Sequence, residues 1–351
     1  MLPQKGSIMI SYFKTVGSEL TRLSKPEPGC WVSVVEPTPD EVNVLIEQYG
    51  LDRDFVRSSL DEEESSRVER EENQTLIIVD TAVAEKQDET FLFYTLPVGI
   101  ITTAQYVFTI SLKHCPVIDA IENGAIRNLQ TMHKTRFVLL LLMRITAGFV
   151  QYLKQIDKIS YHIEKQLSVA MKNKELVQIL GLEKSLVYFS TSLKANNITL
   201  EKILRGRVMK LYEEDQDLLE DVLVEVKQAT EMTKIYTGIL SVMVDAFASV
   251  IANNQNTVMS RLTVITIIMA IPTMVFSFYG MNTAHLPVPD TWFPTLISVM
   301  VTVAVASLLF RNKNKSAYGD IEKARMGFCP GFLHTQEEAL WFISEMTGMS
   351  C

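Results

Sequence analysis

Four consecutive residues, Tyr279-Gly280-Met281-Asn282, combine groups suited to contact with a hydrated cation. A glycine lets a helix end sharply and leaves backbone carbonyls open, and an asparagine amide oxygen accepts hydrogen bonds from water that an ion has polarised. The plainer reading of the same string is a turn that caps a helix. Upstream, Asp245, Ala248, Ala252, Asn256, Met259, Leu262 or Thr263, Thr266, Ala270, Thr273 and Ser277 follow one another at steps of three or four residues. On a helix they form one stripe that is small or polar within an otherwise apolar stretch. Such a stripe suits two arrangements: close packing of transmembrane helices, or several copies of one helix surrounding water. Neither Cys nor His stands on it, which disfavours a path built for soft-ligand ions such as zinc.

The elements that must hold this stripe are legible from the distribution of apolar residues. Residues 262–279 and 292–310 contain no charged side chain, and each approaches the roughly 20 residues that a bilayer core requires, so both are predicted transmembrane helices. A third apolar stretch, 137–153, carries Arg144 and Gln151 and is flanked by charges; it reads as a buried helix of a soluble domain. Between Glu214 and Phe278 the only strong helix breakers are Gly238 and Pro272. One helix is therefore expected over about 65 residues, or ~97 Å, with about 45 residues outside the bilayer as a stalk. Arg261 precedes the first span, and Arg311, Lys313 and Lys315 follow the second, whereas the connection 280–291 has no Lys or Arg. By the positive-inside rule both long ends are cytoplasmic.

Residues 1 to about 115 alternate strand-like runs (8–13, 31–35, 75–84, 91–94 and 106–112) with a helical run at 40–49, an α/β pattern. The charge-dense run 58–72 reads as a solvated helix or loop. From about residue 131 the strand signals stop, and two helical stretches, 133–172 and 175–204, are expected to pack as an antiparallel pair. The fold class is thus an α+β cytoplasmic domain, α/β in its N-terminal part with long helices after it, followed by two C-terminal transmembrane helices. Its divisions are 1–130, an α/β domain; 131–261, a helical region and stalk; 262–310, the membrane hairpin with its outer loop; and 311–351, a basic tail and an extension with no assigned role.

Composition agrees with two compartments in one chain. The 351 residues are 47% hydrophobic and 21% charged, with a formal charge of -8, and the mean hydropathy is +0.14. A positive mean is unusual for a wholly soluble protein, and the two spans account for it. With Lys+Arg 33 against Asp+Glu 41 there is no broad basic surface for nucleic acid. Cys30, Cys115, Cys329 and Cys351 are far apart and lack CxxC spacing, as expected of reduced packing thiols. The first residues lack the apolar core of a signal peptide. No nucleophile-base pair or P-loop string points to an enzyme.

Taken together, these features resemble the CorA family of divalent-cation channels, whose signature is Gly-Met-Asn at the end of the first of two C-terminal membrane helices. The resemblance rests on Gly280-Met281-Asn282, on Asn256-x-x-Met259-x-x-Leu262-Thr263, on Thr273 six residues before Tyr279, and on the long preceding helix and basic tail. It implies a funnel-shaped homopentamer in the inner (plasma) membrane that admits Mg2+, with Co2+ and Ni2+ as further candidates. Tyr279, Gly280, Met281 and Asn282 would form the selective mouth, Thr273 the pore wall, Met259 and Leu262 the hydrophobic constriction, and Asn256 and Asp245 the path below it. The family also senses cytosolic Mg2+ through acidic residues at subunit interfaces. Asp221 matches one such carboxylate; Glu85 is the expected counterpart, with Asp80 and Asp88 as competitors. Two features depart from the family pattern: the loop reads Leu286-Pro287-Val288-Pro289-Asp290, with Asp290 its only acid, and the chain continues well past the basic tail. A zinc transporter of the ZntB branch and a membrane-anchored cation sensor or scaffold are the alternative readings.

Overall fold

The computed structural model describes residues 10–17, 19–87, 90–126, 129–167, 173–205, 211–280 and 295–309, together with Trp292 and Arg311. They divide into two compact units, Met1–Ala248 and Ser249–Cys351.

The first unit is built on a seven-stranded sheet. The strands are β1 (Ile10–Val16), β2 (Glu19–Leu23), β3 (Trp31–Val35), β4 (Arg67–Glu71), β5 (Gln74–Gln87), β6 (Thr90–Thr102) and β7 (Val107–Ser111), in the spatial order β2-β1-β3-β7-β6-β5-β4. Every ladder is antiparallel except β3 with β7. The helices of this unit are α1 (Pro39–Glu47), α2 (Arg53–Ser58), α3 (Pro116–Glu122), α4 (Lys134–Leu167), α5 (Asn173–Leu204) and the first part of α6 (Glu213–Tyr279).

The central strands are apolar at successive positions because both faces of the sheet are covered. Val32, Val34, Leu76, Ile78, Phe108 and Ile110 pack with Leu45, Phe55 and Val56 of α1 and α2. Their neighbours Trp31, Val35, Ile77, Val79 and Val107 face the other way, into the core that α3, α4, α5 and α6 complete. Trp31 anchors this second layer: it is fully buried, its ring lies 5.0 Å from Phe13 and 5.5 Å from Phe137, and its indole N–H donates to Thr109 Oγ1 at 2.9 Å. On the first face, Gly99 of β6 lets α2 approach; a Cβ there would fall on the buried Ser59 side chain.

The stretch 137–153 lies within α4, and Phe137, Leu141, Leu142, Ile145, Phe149 and Leu153 are buried in the core, as the reading of a soluble buried helix expects. The charged run 58–72 differs from expectation: its last part is β4, at the sheet edge, with Glu69, Arg70 and Glu71 exposed. Charged side chains are what an uncovered edge strand needs to avoid pairing with another chain. Strand β6 also runs well past Tyr94, through Pro97 and Gly99 to Thr102.

From Ser249 the second unit contains the last part of α6 and an apolar helix α7 (Thr295–Leu309), whose first turn begins with the Leu296 N–H donating to the Trp292 carbonyl at 3.1 Å. The most apolar window of α6 is wholly unburied.

Candidate functional site

Helix α6 presents a face that is exposed along its full length. In the first unit it runs through Asp221, Val224, Gln228, Glu231, Ile235, Gly238, Val242 and Asp245; in the second through Ser249, Ala252, Asn256, Met259, Thr263, Thr266, Ala270, Thr273 and Ser277 to Gly280. Within each unit the steps of this seam alternate between three and four, a spacing that averages 3.5 residues. The opposite side of α6 in the first unit carries Leu219, Val222, Val226, Ala229, Leu240 and Phe247, all buried in the core. Seam and core therefore occupy different sides of one helix. Along α6 in the second unit the half-buried positions are Thr257, Val264, Ile268, Ile271, Pro272 and Val275, none of them on the exposed series.

The upper seam has a specific hydrogen-bonding state. Thr263 Oγ1 donates to the Met259 carbonyl at 2.9 Å, Thr266 Oγ1 to Leu262 at 2.8 Å, and Thr273 Oγ1 to Met269 at 3.1 Å. Each hydroxyl proton is thus committed to the helix backbone, and what each threonine offers outward is an oxygen with lone pairs. Water bound to a cation directs its hydrogens away from the ion, so a wall of acceptors suits it. Thr266, Met269, Ala270, Thr273, Met274 and Ser277 line a shallow groove of about 490 Å³ along this part of α6. Asn256, Met259 and Leu262 are exposed on the same helix below it.

Of the mouth residues, Gly280 follows the last turn of α6, its N–H donating to the Phe276 carbonyl at 2.9 Å. A Cβ on Gly280 would stand 3.1 Å from that carbonyl, a tight contact that glycine avoids. Tyr279 closes α6, and Met281 and Asn282 lie outside the described residues.

The candidate regulatory carboxylates stand in different settings. Asp221 is exposed on the seam. Glu85 is exposed on β5, near the hydroxyl of Tyr94 on the adjacent strand. Burial and the neighbouring Glu85 charge raise the Tyr94 pKa. The ammonium of Lys113 lies 6.0 Å from the Tyr94 ring centroid and donates to Glu62 Oε1 at 2.9 Å, and the charge of Glu85 also reaches it. The ammonium is thus paired with Glu62, and Glu85 stands near enough to act on it through charge alone. Asp80 stands in a different setting: burial raises its carboxyl pKa, and the nearby polar side chains of Ser192 and Ser66 partly oppose the shift. It is held toward the inside and suits an interface ligand poorly. Asp88 lies outside the described residues. Among the described residues no group of three or more His, Cys, Asp or Glu side chains is placed to hold a metal. The lower half of the seam, Val224, Ile235 and Val242, was not singled out from sequence; its signal is three large apolar side chains each more than half exposed, at 63%, 58% and 64%.

Comparison with known proteins follows the same lines. A family model described as CorA-like Mg2+ transporter protein matches residues 27–311. A protein of Methanocaldococcus jannaschii named cobalt/magnesium transport protein CorA is 29% identical over 293 residues, covering 80% of this chain and 89% of its own length. The complete structure of the CorA magnesium transporter from the same organism superposes with a TM-score of 0.70 at 23% identity, over 87% of this chain and 97% of that one. The cytoplasmic domain of ZntB from Vibrio parahaemolyticus shares the fold more distantly, with a TM-score of 0.53 at 10% identity over 70% of this chain and 98% of that domain.

Proposed function

The chain belongs to the CorA-like Mg2+ transporter family, and from that premise we propose that it is a Mg2+ uptake channel, able to carry Co2+ as well, that passes hydrated divalent cations down their electrochemical gradient. The observation that carries this reading is the exposed hydroxyl-lined face of α6 in the second unit, which leads to Gly280, with Met281-Asn282 next in sequence. An apolar helix with a wholly exposed window is not a stable object in water. At about 25 cal/mol per Å² its uncovered surface corresponds to tens of kcal/mol, which a bilayer on one side and further copies of α6 on the other would recover. The 3.5-residue spacing favours several copies around one axis, and the family reading makes the assembly a homopentamer in the plasma membrane with both termini cytoplasmic.

In this arrangement each part of the seam has a task. Asn282 and the carbonyl of Gly280 would receive the hydrated ion at the mouth, and Thr273 and Thr266 would accept hydrogen bonds from its water shell. Mg2+ dehydrates reluctantly, so oxygen acceptors that hold the shell are better suited than a cage that strips it. Met259 and Leu262 would form a hydrophobic constriction that blocks ions by excluding water when narrow, with Asn256 and Asp245 beneath it. Inward movement needs no ATP, because a divalent cation gains about 4.6 kcal/mol on crossing 100 mV. Closure would follow from cytosolic Mg2+ bridging Asp221 of one copy to a carboxylate of the next; without the ion the carboxylates repel and the subunits separate.

The test is Mg2+ flux into proteoliposomes. Wild-type protein is expected to conduct Mg2+ and Asn282→Ala to lose conduction or selectivity. Zn2+ flux without Mg2+ flux would favour the ZntB-like reading, and no flux under any gradient a tethered sensor.

A further inference from the structure

Two adjoining hollows lie along α4, in the first unit. One, of about 330 Å³, opens between α3 and α4 and has Val117, Ala120, Ile121 and Ile126 on its apolar side, with Arg144 and Tyr152 at its polar edge. The other, of about 520 Å³, continues past Lys154, Gln155 and Lys158, with Glu225 of α6 on its far side. Ala147 and Gln151 line both, so the two form one groove.

Arg144, Ala147, Gln151, Lys154 and Lys158 recur at alternating steps of three and four, and one face of α4 therefore supplies the polar side of the groove over about 21 Å. In a chain of net charge -8 such cations ordinarily find carboxylates. Among the described residues, none of Arg144, Lys154 and Lys158 makes an ion pair or a side-chain hydrogen bond. The hydroxyl of Tyr152 is likewise without a hydrogen bond, although its ring packs 5.7 Å from Phe93. Burial raises its pKa, so at neutral pH it is a proton donor. Among the described residues Glu225 is the only carboxylate lining either hollow, against the three cations Arg144, Lys154 and Lys158.

We propose that this groove binds a nucleoside polyphosphate, with the base and sugar in the α3–α4 hollow beside Arg144 and Tyr152 and the phosphates along Lys154 and Lys158. The two halves select this class together. An inorganic anion would make no use of the apolar hollow, and an uncharged aromatic ligand would leave the lysines unanswered. A hollow of roughly 300 Å³ is at the small end of ordinary ligand pockets and admits a base with its sugar. The amides of Gln151 and Gln155 lie between the halves, where sugar hydroxyls need both donors and acceptors. Lys154 and Lys158 are one helical turn apart, about 6 Å, within reach of successive phosphates. The inference rests on α3, α4 and α6 of one chain and stands apart from the transport reading.

The experiment is calorimetric titration of the full chain in detergent with ATP, tripolyphosphate and adenosine, in Mg2+-free buffer so that chelation does not contribute. ATP is expected to bind saturably at one site per chain, and tripolyphosphate at least tenfold more weakly. Lys154→Glu with Lys158→Glu should weaken ATP at least tenfold; both side chains are exposed, so the fold should persist, and an unchanged melting profile verifies it. Ala120→Trp, a bulky side chain at an exposed position of the lining, should weaken ATP and leave tripolyphosphate unaffected. No saturable ATP binding, undiminished binding by the double variant, or tripolyphosphate binding as tightly as ATP would each overturn the proposal.

Discussion

Asn196 of α5 completes the backbone of Asp80 on β5: its Oδ1 accepts from the Asp80 N–H at 2.9 Å, and its Nδ2 donates to the Asp80 carbonyl at 2.9 Å. Both Asp80 groups point away from β6, toward the side where the β4 ladder has ended at the pairing of Arg67 with Ile78. A single side-chain amide thus stands in for the missing strand, and Ser66 Oγ steadies it by donating to Asn196 Oδ1 at 2.8 Å. The cross-strand partner of Asp80 is Pro97, which lies just beyond the β6–β7 ladder and needs no N–H there.

Asn196→Ala leaves two backbone groups without their partners in a largely buried place. A loss of about 2–4 kcal/mol is expected, at roughly 1–2 kcal/mol per group. Thermal unfolding in detergent measures it, and a melting temperature within a degree of wild type would contradict the account.

Asp80 gives the first unit a pH dependence. Burial holds its carboxyl above the ordinary carboxylate range, so the folded protein keeps this proton to higher pH than the unfolded chain does. The associated stability is full below the unfolded value, about 3.9, and is lost as pH rises through the folded value. Asp80→Asn removes the penalty of the ionised form. Its melting temperature should exceed that of wild type at pH 7, and the gap should shrink as pH falls toward 4. A gap independent of pH would refute the assignment.

These contacts also mark where sequence reading stops. Strand β3 and the inner part of β5 are legible because both faces are buried and their residues are continuously apolar. The helix α6 is legible because so few breakers interrupt it. Strand β4 is hidden by its charges, which are there because it is an edge, and the second half of β6 by Pro97 and Gly99, each explained only by a neighbour distant in sequence. In the candidate site, hydroxyl stripe and glycine exit follow from spacing alone. The proximity of Glu85 to Tyr94 and Lys113 does not, since it depends on the register of β5 on β6 and on a lysine beyond β7.

That lysine bears on regulation. Lys113 competes with any cation that Glu85 would bind, so Lys113→Met should favour divalent binding there. Exposed pairs are worth about 0.2–1 kcal/mol, which corresponds to a decrease of ~1.5- to 5-fold in the Mg2+ concentration that halves flux from the cytoplasmic side. An unchanged Mg2+ response would remove Glu85 from the regulatory site.

The lower seam predicts an assembly defect. Val242→Glu adds a charge to an apolar seam position that is exposed in the single chain, so the chain should fold but associate less. Light scattering in detergent should report a smaller particle, and an unaltered mass would count against the seam as the interface.

Thr273 provides the sharpest test of the hydroxyl wall. Its proton is donated to the Met269 carbonyl, leaving only acceptor capacity toward the groove. Thr273→Val keeps the branched shape and helix preference but removes the acceptor, whereas Thr273→Ser keeps the acceptor and loses a methyl group. If water bound to the passing ion hydrogen-bonds to this oxygen, valine withdraws a contact worth about 1 kcal/mol from each copy. Mg2+ flux should fall at least ~tenfold in Thr273→Val, since several copies lose the contact, and stay within about twofold of wild type in Thr273→Ser, with the assembly intact in both. A role in helix packing alone makes the opposite prediction, since valine fills the same volume and serine does not. Flux retained by valine and lost by serine would therefore reassign the stripe from pore wall to helix interface.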